Sequence, residues 1–373
     1  MTTPERLWIV HTESSCGWGG QEIRTLTEAV GLRERGHRLT LLCPPEAPIA
    51  AAAEARGIAV ARLPIARKHP AGLLALRRWL REHADVDVLN THSSTDSWLA
   101  ALACATLGRA PPIVRTRHVS THVKNNLSSR WLYRRAAAHV VTAGDALREQ
   151  LHRENGIPLA HMTSVPTGID LERFHPRARA EACRSLDLDP AHHYLGIVAT
   201  LRNWKGHVYL LEAFAALAPT HPGWDLLIVG DGPQRRNLER AIAAQGLGQR
   251  VLMPGNREDV ETWFNAFSLF VLPSYGEEGV SQSVMQAMAS GLPVVSTTVG
   301  ATGEAVEDGG TGLLVPPRDT GALRGALATL MQDPERRARF GAAGRQRAEQ
   351  HFGMAQMLDR MESIFRRIAR EAR

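Results

Sequence analysis

The chain has 373 residues, 44% of them hydrophobic and 22% charged, the make-up of a globular protein with enough length for two cores. Its net charge of +6 suits an anionic ligand or an anionic membrane surface, whereas the few aromatics and the lack of any nucleic-acid motif argue against nucleic acid. The polar opening Met1–Arg6 predicts no secretory leader, no apolar run is long enough to cross a bilayer, and Cys16, Cys43, Cys104 and Cys183 form no CxxC pair. Buried, reduced thiols of a cytoplasmic protein are expected.

Short apolar runs alternate with helical stretches along the whole chain. In the first half, strands are predicted at Leu7–Thr12, Leu39–Pro44, Val86–His92, Ile113–His118, His139–Ala143 and Met162–Pro166. Helices are predicted at Gln21–Arg35, Leu73–His83, Ser97–Leu107 and Asp145–Glu154, the last with Asp145 as N-cap. A polar, turn-rich join from Phe174 to Pro190 follows, which places a domain boundary at 185/186. The second half repeats the plan, with strands at Tyr194–Thr200, Trp224–Val229, Arg250–Met253, Leu269–Leu272, Pro293–Ser296 and Gly312–Val315. Its helices fall at Gly206–Leu217, Gln234–Gln245, Val260–Ala266, Ser281–Ala289 and Thr320–Met331, and a basic amphipathic helix runs from Met354 to about Arg370. Alternation of this kind predicts two doubly wound α/β domains with parallel sheets.

The chemistry-bearing residues cluster just after predicted strands, where such sheets bind ligands. Gly19 and Gly20 follow the first strand beside Trp18 and open a turn whose N–H groups can reach a phosphate, although Glu22 breaks a G-x-G-x-x-G pattern. His92, Ser93 and Asp96 follow another strand, and either line an acceptor site or cap the next helix. His118 ends a third strand. Around it, Pro111–His139 holds no acid but has Arg115, Arg117, Lys124, Arg130, Arg134 and Arg135, either a solvated basic face or a contact surface for an acceptor or membrane. In the second half, Arg202 and Lys205 form a pair of loop cations that can grip phosphate oxygens. Gly230–Pro233 reads as a structural turn, and Asn256 and Arg257 follow Gly255. The stretch from Pro273 to Val295 reads as strand, tight loop, helix and strand, with Glu278, Gly279, Val280 and Ser281 leading into the helix that carries Gln286. Asp85, Asp87, Asp187 and Asp189 have D-x-D spacing, but they enter a strand or lie in the join, so no metal site is expected.

The stretch Glu278-Gly279 through Gln286-Ala287-Met288-Ala289-Ser290-Gly291 resembles the signature of retaining family-4 nucleotide-sugar glycosyltransferases, two glutamates with seven residues between them. Gln286 replaces the second glutamate. The resemblance implies a GT-B fold, two Rossmann-like domains facing a central cleft, with the final helix packing back on the first domain. It implies donor binding by Gly19, Gly20, Arg202, Lys205, Asn256, Arg257, Glu278, Gly279, Val280, Ser281 and Gln286. Arg202 and Lys205 would neutralise the leaving diphosphate, Glu278 would hold the sugar, and His118 would lie near a distal hydroxyl as a catalytic group. Trp18, His92, Ser93 and Asp96 would face the acceptor. No cofactor or metal is implied.

The expected activity is transfer of a sugar from a UDP- or GDP-sugar to a saccharide or lipid-linked acceptor, with retention of configuration, in envelope glycan or lipopolysaccharide synthesis. The expected location is cytoplasmic, with peripheral contact at the inner face of the cell membrane. Three alternatives stay open at this point: a sugar-nucleotide epimerase of the same fold, a nicotinamide oxidoreductase, and a non-catalytic sugar or lipid adaptor suggested by Gln286.

Overall fold

The computed structural model describes residues 6–118, 122–276 and 278–373. They form two compact units, one running up to Gly168 and completed by Ala355–Arg373, the other spanning Ile169–Met354. The first unit is built on seven parallel strands, β1 (Trp8–Thr12), β2 (Arg38–Cys43), β3 (Ala59–Arg62), β4 (Val88–Thr91), β5 (Ile113–Arg117), β6 (Ala137–Thr142) and β7 (Met162–Ser164). Their order is β3-β2-β1-β4-β5-β6-β7. The second holds six parallel strands, β8 (His193–Val198), β9 (Trp224–Val229), β10 (Val251–Gly255), β11 (Leu269–Leu272), β12 (Val294–Thr297) and β13 (Gly312–Val315), in the order β10-β9-β8-β11-β12-β13. The central strands carry Val, Ile and Leu on both faces and are buried on both, as helix-covered parallel sheets require. In each sheet the order reverses once, between β1 and β4 and between β8 and β11. A crevice for a ligand opens at such reversals.

Several helices were not legible in the pattern, among them the short Leu127–Trp131 and Thr302–Ala305. Pro48–Glu54 is alanine-rich, and Arg179–Ser185 lies inside the polar join. Pro334–His351 reads as charged and glycine-bearing, yet its glycines are packing contacts: a Cβ on Gly341 would sit 2.1 Å from the carbonyl oxygen of Gly291. The strand β3 is only four residues long, Ala-Val-Ala-Arg, with half-buried middle positions, and was also missed. The N-cap expected at Asp145 is Gly144, with Asp145 as the first helical residue. The join is not a boundary either. Phe174, Ala182 and Cys183 are buried in the core of the second unit, so the chain passes between the units earlier, at Gly168–Ile169.

The final helix, Met354–Glu371, belongs to the first unit. Met357, Leu358, Met361, Ile364, Phe365 and Ile368 recur at helical spacing and are buried. Leu358 packs on Gly31, where a Cβ would lie 2.5 Å from Leu358 Cδ1. Glu362 accepts from Arg35 Nη1 at 3.0 Å, which fastens the same face by charge.

Candidate functional site

In the second unit, the loops after β8 and β11 meet at the reversal of the sheet. Residues Asn203–Lys205 form one turn of 3₁₀ helix, and Gly206 ends it with φ +77°. A side chain there would be strained, and its Cβ would fall 1.9 Å from the carbonyl oxygen of Pro273. That close approach lets the β8 loop lie on the β11 loop. Tyr275 N donates to Trp204 O at 2.8 Å, joining the two loops again. The Gly230–Pro233 turn braces the β8 loop from below through Leu201 N to Asp231 O at 3.0 Å and Gln234 N to Leu201 O at 3.0 Å.

The result is a close ion pair. Lys205 Nζ lies 2.6 Å from Glu278 Oε1, with only 20% and 11% of the two side chains exposed. Ser274 Oγ donates to the same oxygen at 2.7 Å, and Thr297 Oγ1 anchors the carbonyl of Ser274 at 2.6 Å. Arg202, on the same loop as Lys205, is exposed with its guanidinium 5.1 Å from the Trp204 ring centre. The helix Gln282–Ala289 begins immediately after, with Ser281 as N-cap and Gly279 and Val280 preceding it. A compact cation, a forked cation, a held carboxylate and a helix N-terminus thus share one loop cluster. This set can neutralise a diphosphate and hydrogen-bond sugar hydroxyls. Gln286 is half-buried one turn along that helix; Glu277 lies outside the described residues.

Arg257 is exposed, and Asp259 accepts from its Nε and Nη2 at 2.9 and 3.0 Å. Asn256 is exposed beside it.

In the first unit, Gly19 caps the helix Gly20–Glu34 in extended conformation, and Trp18 is 51% exposed. Two residues assigned to an acceptor are fully committed elsewhere. Asp96 is completely buried and accepts from Thr12 Oγ1 at 2.6 Å, Ser93 Oγ at 2.6 Å, and the backbone N–H groups of His92, Ser93 and Ser97. It is the anchor of the N-cap of the helix Ser94–Ala105, the alternative reading of that motif. His92 is 3% exposed, and both of its ring nitrogens are occupied, by His11 and His118. Ser93 remains partly exposed.

Sequence reasoning missed His11 and Glu13. Both are fully buried, at the end of β1 and just after it. Gln21 Nε2 and Ser15 N donate to the Glu13 carboxyl at 2.6 and 2.8 Å, but burial pushes its pKa up, to about 8, and the nearby Asp96 charge adds to that. Burial pushes the Asp96 carboxyl up as well, against the hydrogen bonds that favour its charged form. Burial lowers His11 to about 3 and takes His92 and His118 well below the usual histidine range. The signal was present as polar residues inside an apolar strand, but a strand interior is read as core.

The basic stretch is divided by the structure. Arg115 and Arg117 are buried, 4% and 8% exposed, against Tyr133: Arg117 Nη1 donates to its hydroxyl at 3.0 Å, and Arg115 stacks 4.6 Å from its ring centre. They do not belong to an outer face. Lys124, Arg130, Arg134 and Arg135 are exposed. Cys16 is exposed too, unlike the buried thiol expected there. The D-x-D acids have structural work: Asp87 accepts from Trp8 N at 2.8 Å, and Asp189 accepts from Ala191 N at 2.8 Å. Among the described residues no cluster of three His, Cys, Asp or Glu is placed to hold a metal, and no helix is long and apolar enough to cross a membrane.

Comparison with known proteins agrees with this architecture. Residues 192–333 match the family model described as Glycosyl transferases group 1, and residues 18–173 match the one described as Glycosyltransferase Family 4. The chain is 32% identical over 250 residues to the lipopolysaccharide core biosynthesis mannosyltransferase LpsB of Rhizobium meliloti, covering 65% of this chain and 69% of that protein. It is 30% identical to the lipopolysaccharide core biosynthesis mannosyltransferase LpcC of Rhizobium leguminosarum, over 55% of this chain and 57% of the relative. The crystal structure of Anabaena HepE in complex with UDP-glucose superposes with a TM-score of 0.83 at 22% identity, covering 96% of this chain and 99% of that one. The chain belongs to glycosyltransferase family 4, and it is a glycosyltransferase of the GT-B fold.

Proposed function

We propose that this glycosyltransferase takes a sugar from a nucleotide-sugar donor and moves it, with retention of configuration and without a metal ion, to a hydroxyl of an envelope glycan. The observation that carries this is the Lys205–Glu278 pair with Arg202 at the reversal of the second sheet. Arg202 and Lys205 neutralise the diphosphate as the glycosyl–phosphate bond breaks, and fixed charges aimed at developing charge are the strongest catalytic device available there. Glu278 Oε1 already accepts from Lys205 and Ser274, which suits a hydrogen-bonding role toward sugar hydroxyls rather than nucleophilic attack. The acceptor oxygen then attacks the same face, the new carbon–oxygen bond forms as the bond to phosphate breaks, and the acceptor's proton passes to the departing phosphate oxygen. Within the first unit, Gly19 and Gly20 stand at a helix N-terminus, a place suited to a phosphate, and Trp18 is exposed beside them.

The relatives named as lipopolysaccharide core mannosyltransferases support an envelope acceptor, and the fold neighbour bound to UDP-glucose supports a nucleotide-sugar donor. A thermal-shift screen against UDP-, GDP- and ADP-sugars tests the reading. One class raises the melting temperature by mass action, and a flat response to all three would reject it.

The reading extends to cytoplasmic placement with contact at an anionic membrane. Leu127 is 83% exposed, and Arg130, Arg134 and Arg135 line a cavity of about 360 Å³ with Trp131, Pro158 and His161. An apolar side chain among exposed arginines suits an anionic lipid surface. Co-sedimentation with vesicles of anionic but not zwitterionic lipid is expected, and equal behaviour with both would count against it.

A further inference from the structure

Three imidazoles run in a hydrogen-bonded line through the first unit. His11 on β1 places Nδ1 2.8 Å from His92 Nε2, and His92 places Nδ1 2.8 Å from His118 Nε2, just past β5. The rings stack, each pair 5.1 Å between centres, with interplanar angles of 10° and 23°. His11 and His92 are buried, and His118 is half-buried.

A neutral imidazole has one donor and one acceptor nitrogen, so such a chain can be written in only two ways. In the first, His11 Nδ1–H donates to His92 and His92 Nδ1–H donates to His118. His118 Nε2 then accepts, and His118 keeps its proton on Nδ1. In the second, every proton is moved: His118 donates to His92, His92 donates to His11, and His11 must carry N–H on Nε2. His11 Nε2 is buried with no hydrogen-bond partner, and the rings of His11 and Phe365 stand at 89° with 6.4 Å between centres. An orphaned buried N–H costs the full desolvation of a donor, whereas a bare ring nitrogen among apolar atoms costs less. The unpartnered end therefore selects the first arrangement. An imidazolium in the middle is opposed by burial and by the buried Arg24, whose charge acts on His92 and His118.

We propose that His11 and His92 are positioning residues that lock His118 as its Nδ1–H tautomer, so that His118 offers a fixed hydrogen-bond donor, and no proton acceptor, to a sugar hydroxyl oxygen. This rests on the proposed glycosyl transfer and on the family resemblance, which implies that His118 lies near a sugar hydroxyl. It removes the role of general base from His118, because Nε2 is engaged by His92 and the other nitrogen carries the proton. It also turns a side chain with two interchangeable tautomers into one with a single polarity, which is what recognition of an oxygen acceptor needs. Neither His11 nor His92 touches substrate in this account.

The test is nitrogen-15 spectroscopy of the full chain at neutral pH, with long-range proton correlations to the histidine rings. His118→Gln assigns the His118 signals. The expected result is a neutral Nδ1–H pattern for His118, the minority tautomer of free histidine in water. An Nε2–H pattern or an imidazolium would overturn the lock on the wild-type protein alone. Kinetics adds a readout that packing by itself does not move. His92→Met keeps bulk but breaks the chain, and is expected to shift His118 toward Nε2–H and to lower kcat/KM about tenfold. In His92→Gln the amide can accept from His11 and donate to His118, so it restores the tautomer and most of the lost rate. Loss of the tautomer in His92→Met with kcat/KM unchanged would overturn the proposal. Absence of sugar transfer by the wild type would strike the functional reading, and the spectrum would still judge the lock.

Discussion

The two sheet reversals of this chain are built from opposite chemistry. At β8 and β11, Lys205, Arg202 and Glu278 bring full charges together at a partly exposed site. At β1, β4 and β5, the groups are polar but held neutral: three imidazoles below their usual range and Glu13 above its own. One topology thus gives two kinds of site. Charge suits a diphosphate whose negative charge grows as the bond breaks, and neutral hydrogen-bonding groups suit hydroxyls, which gain nothing from a nearby ion.

The largest effect that sharpens this contrast lies on the charged side. Lys205→Ala is expected to lower turnover by about 10²-fold or more, because it removes one cation from the diphosphate and takes the Lys205 charge away from Glu278. Arg202→Ala is expected to cost at least about tenfold, roughly 1.4 kcal/mol of transition-state stabilisation. Circular dichroism would check that both variants stay folded. Wild-type turnover in either would erase the distinction between the two reversals.

The neutral side predicts a pH dependence of stability. His11 has its pKa depressed from 6.5 to about 3, so its contribution is complete above 6.5 and is lost as pH falls toward 3. Glu13 works in the other direction. Its pKa is raised from 4.5 to about 8, so its contribution is complete below 4.5 and is lost as pH climbs to about 8. Urea unfolding of wild type and His11→Gln between pH 4 and 7 should give a shallower acid loss for the variant. Parallel curves would mean that His11 is not held neutral by the fold.

The smallest expected effect is at Gln286. Gln286→Glu should leave turnover within about threefold and tighten donor binding slightly, since a carboxylate makes stronger hydrogen bonds to ribose hydroxyls than an amide does. The opposing cost is a second negative charge near Glu278. A large loss of donor affinity by calorimetry, with the fold intact, would show that the site is organised around the amide.

Legibility in the sequence followed the same divide. Strands such as Trp224–Val229 and Leu269–Leu272 were readable to the residue, because continuous apolar runs bounded by turns have one meaning in a parallel sheet. Lys205 and Glu278 were readable because loop motifs are local. Their 2.6 Å contact was not, since 73 residues separate them. Asp96 could be read as ligand or as cap, and only its five donors decide for the cap. His92 and His118 were legible one at a time, but their line with His11 was not, because its members sit at the ends of three strands far apart in the chain. The helix Pro334–His351 was missed because Gly341 marks close backbone contact rather than a break.

The central claim is that protein cations, with no metal, stabilise the departing nucleoside diphosphate. Its most direct test is release of the nucleotide from the donor sugar that the screen selects, in the presence of acceptor, with and without EDTA, for wild type and Lys205→Ala. The account predicts equal wild-type release in both conditions and a collapse in the variant in both. Loss of wild-type release on chelation, restored by magnesium or manganese, would contradict it.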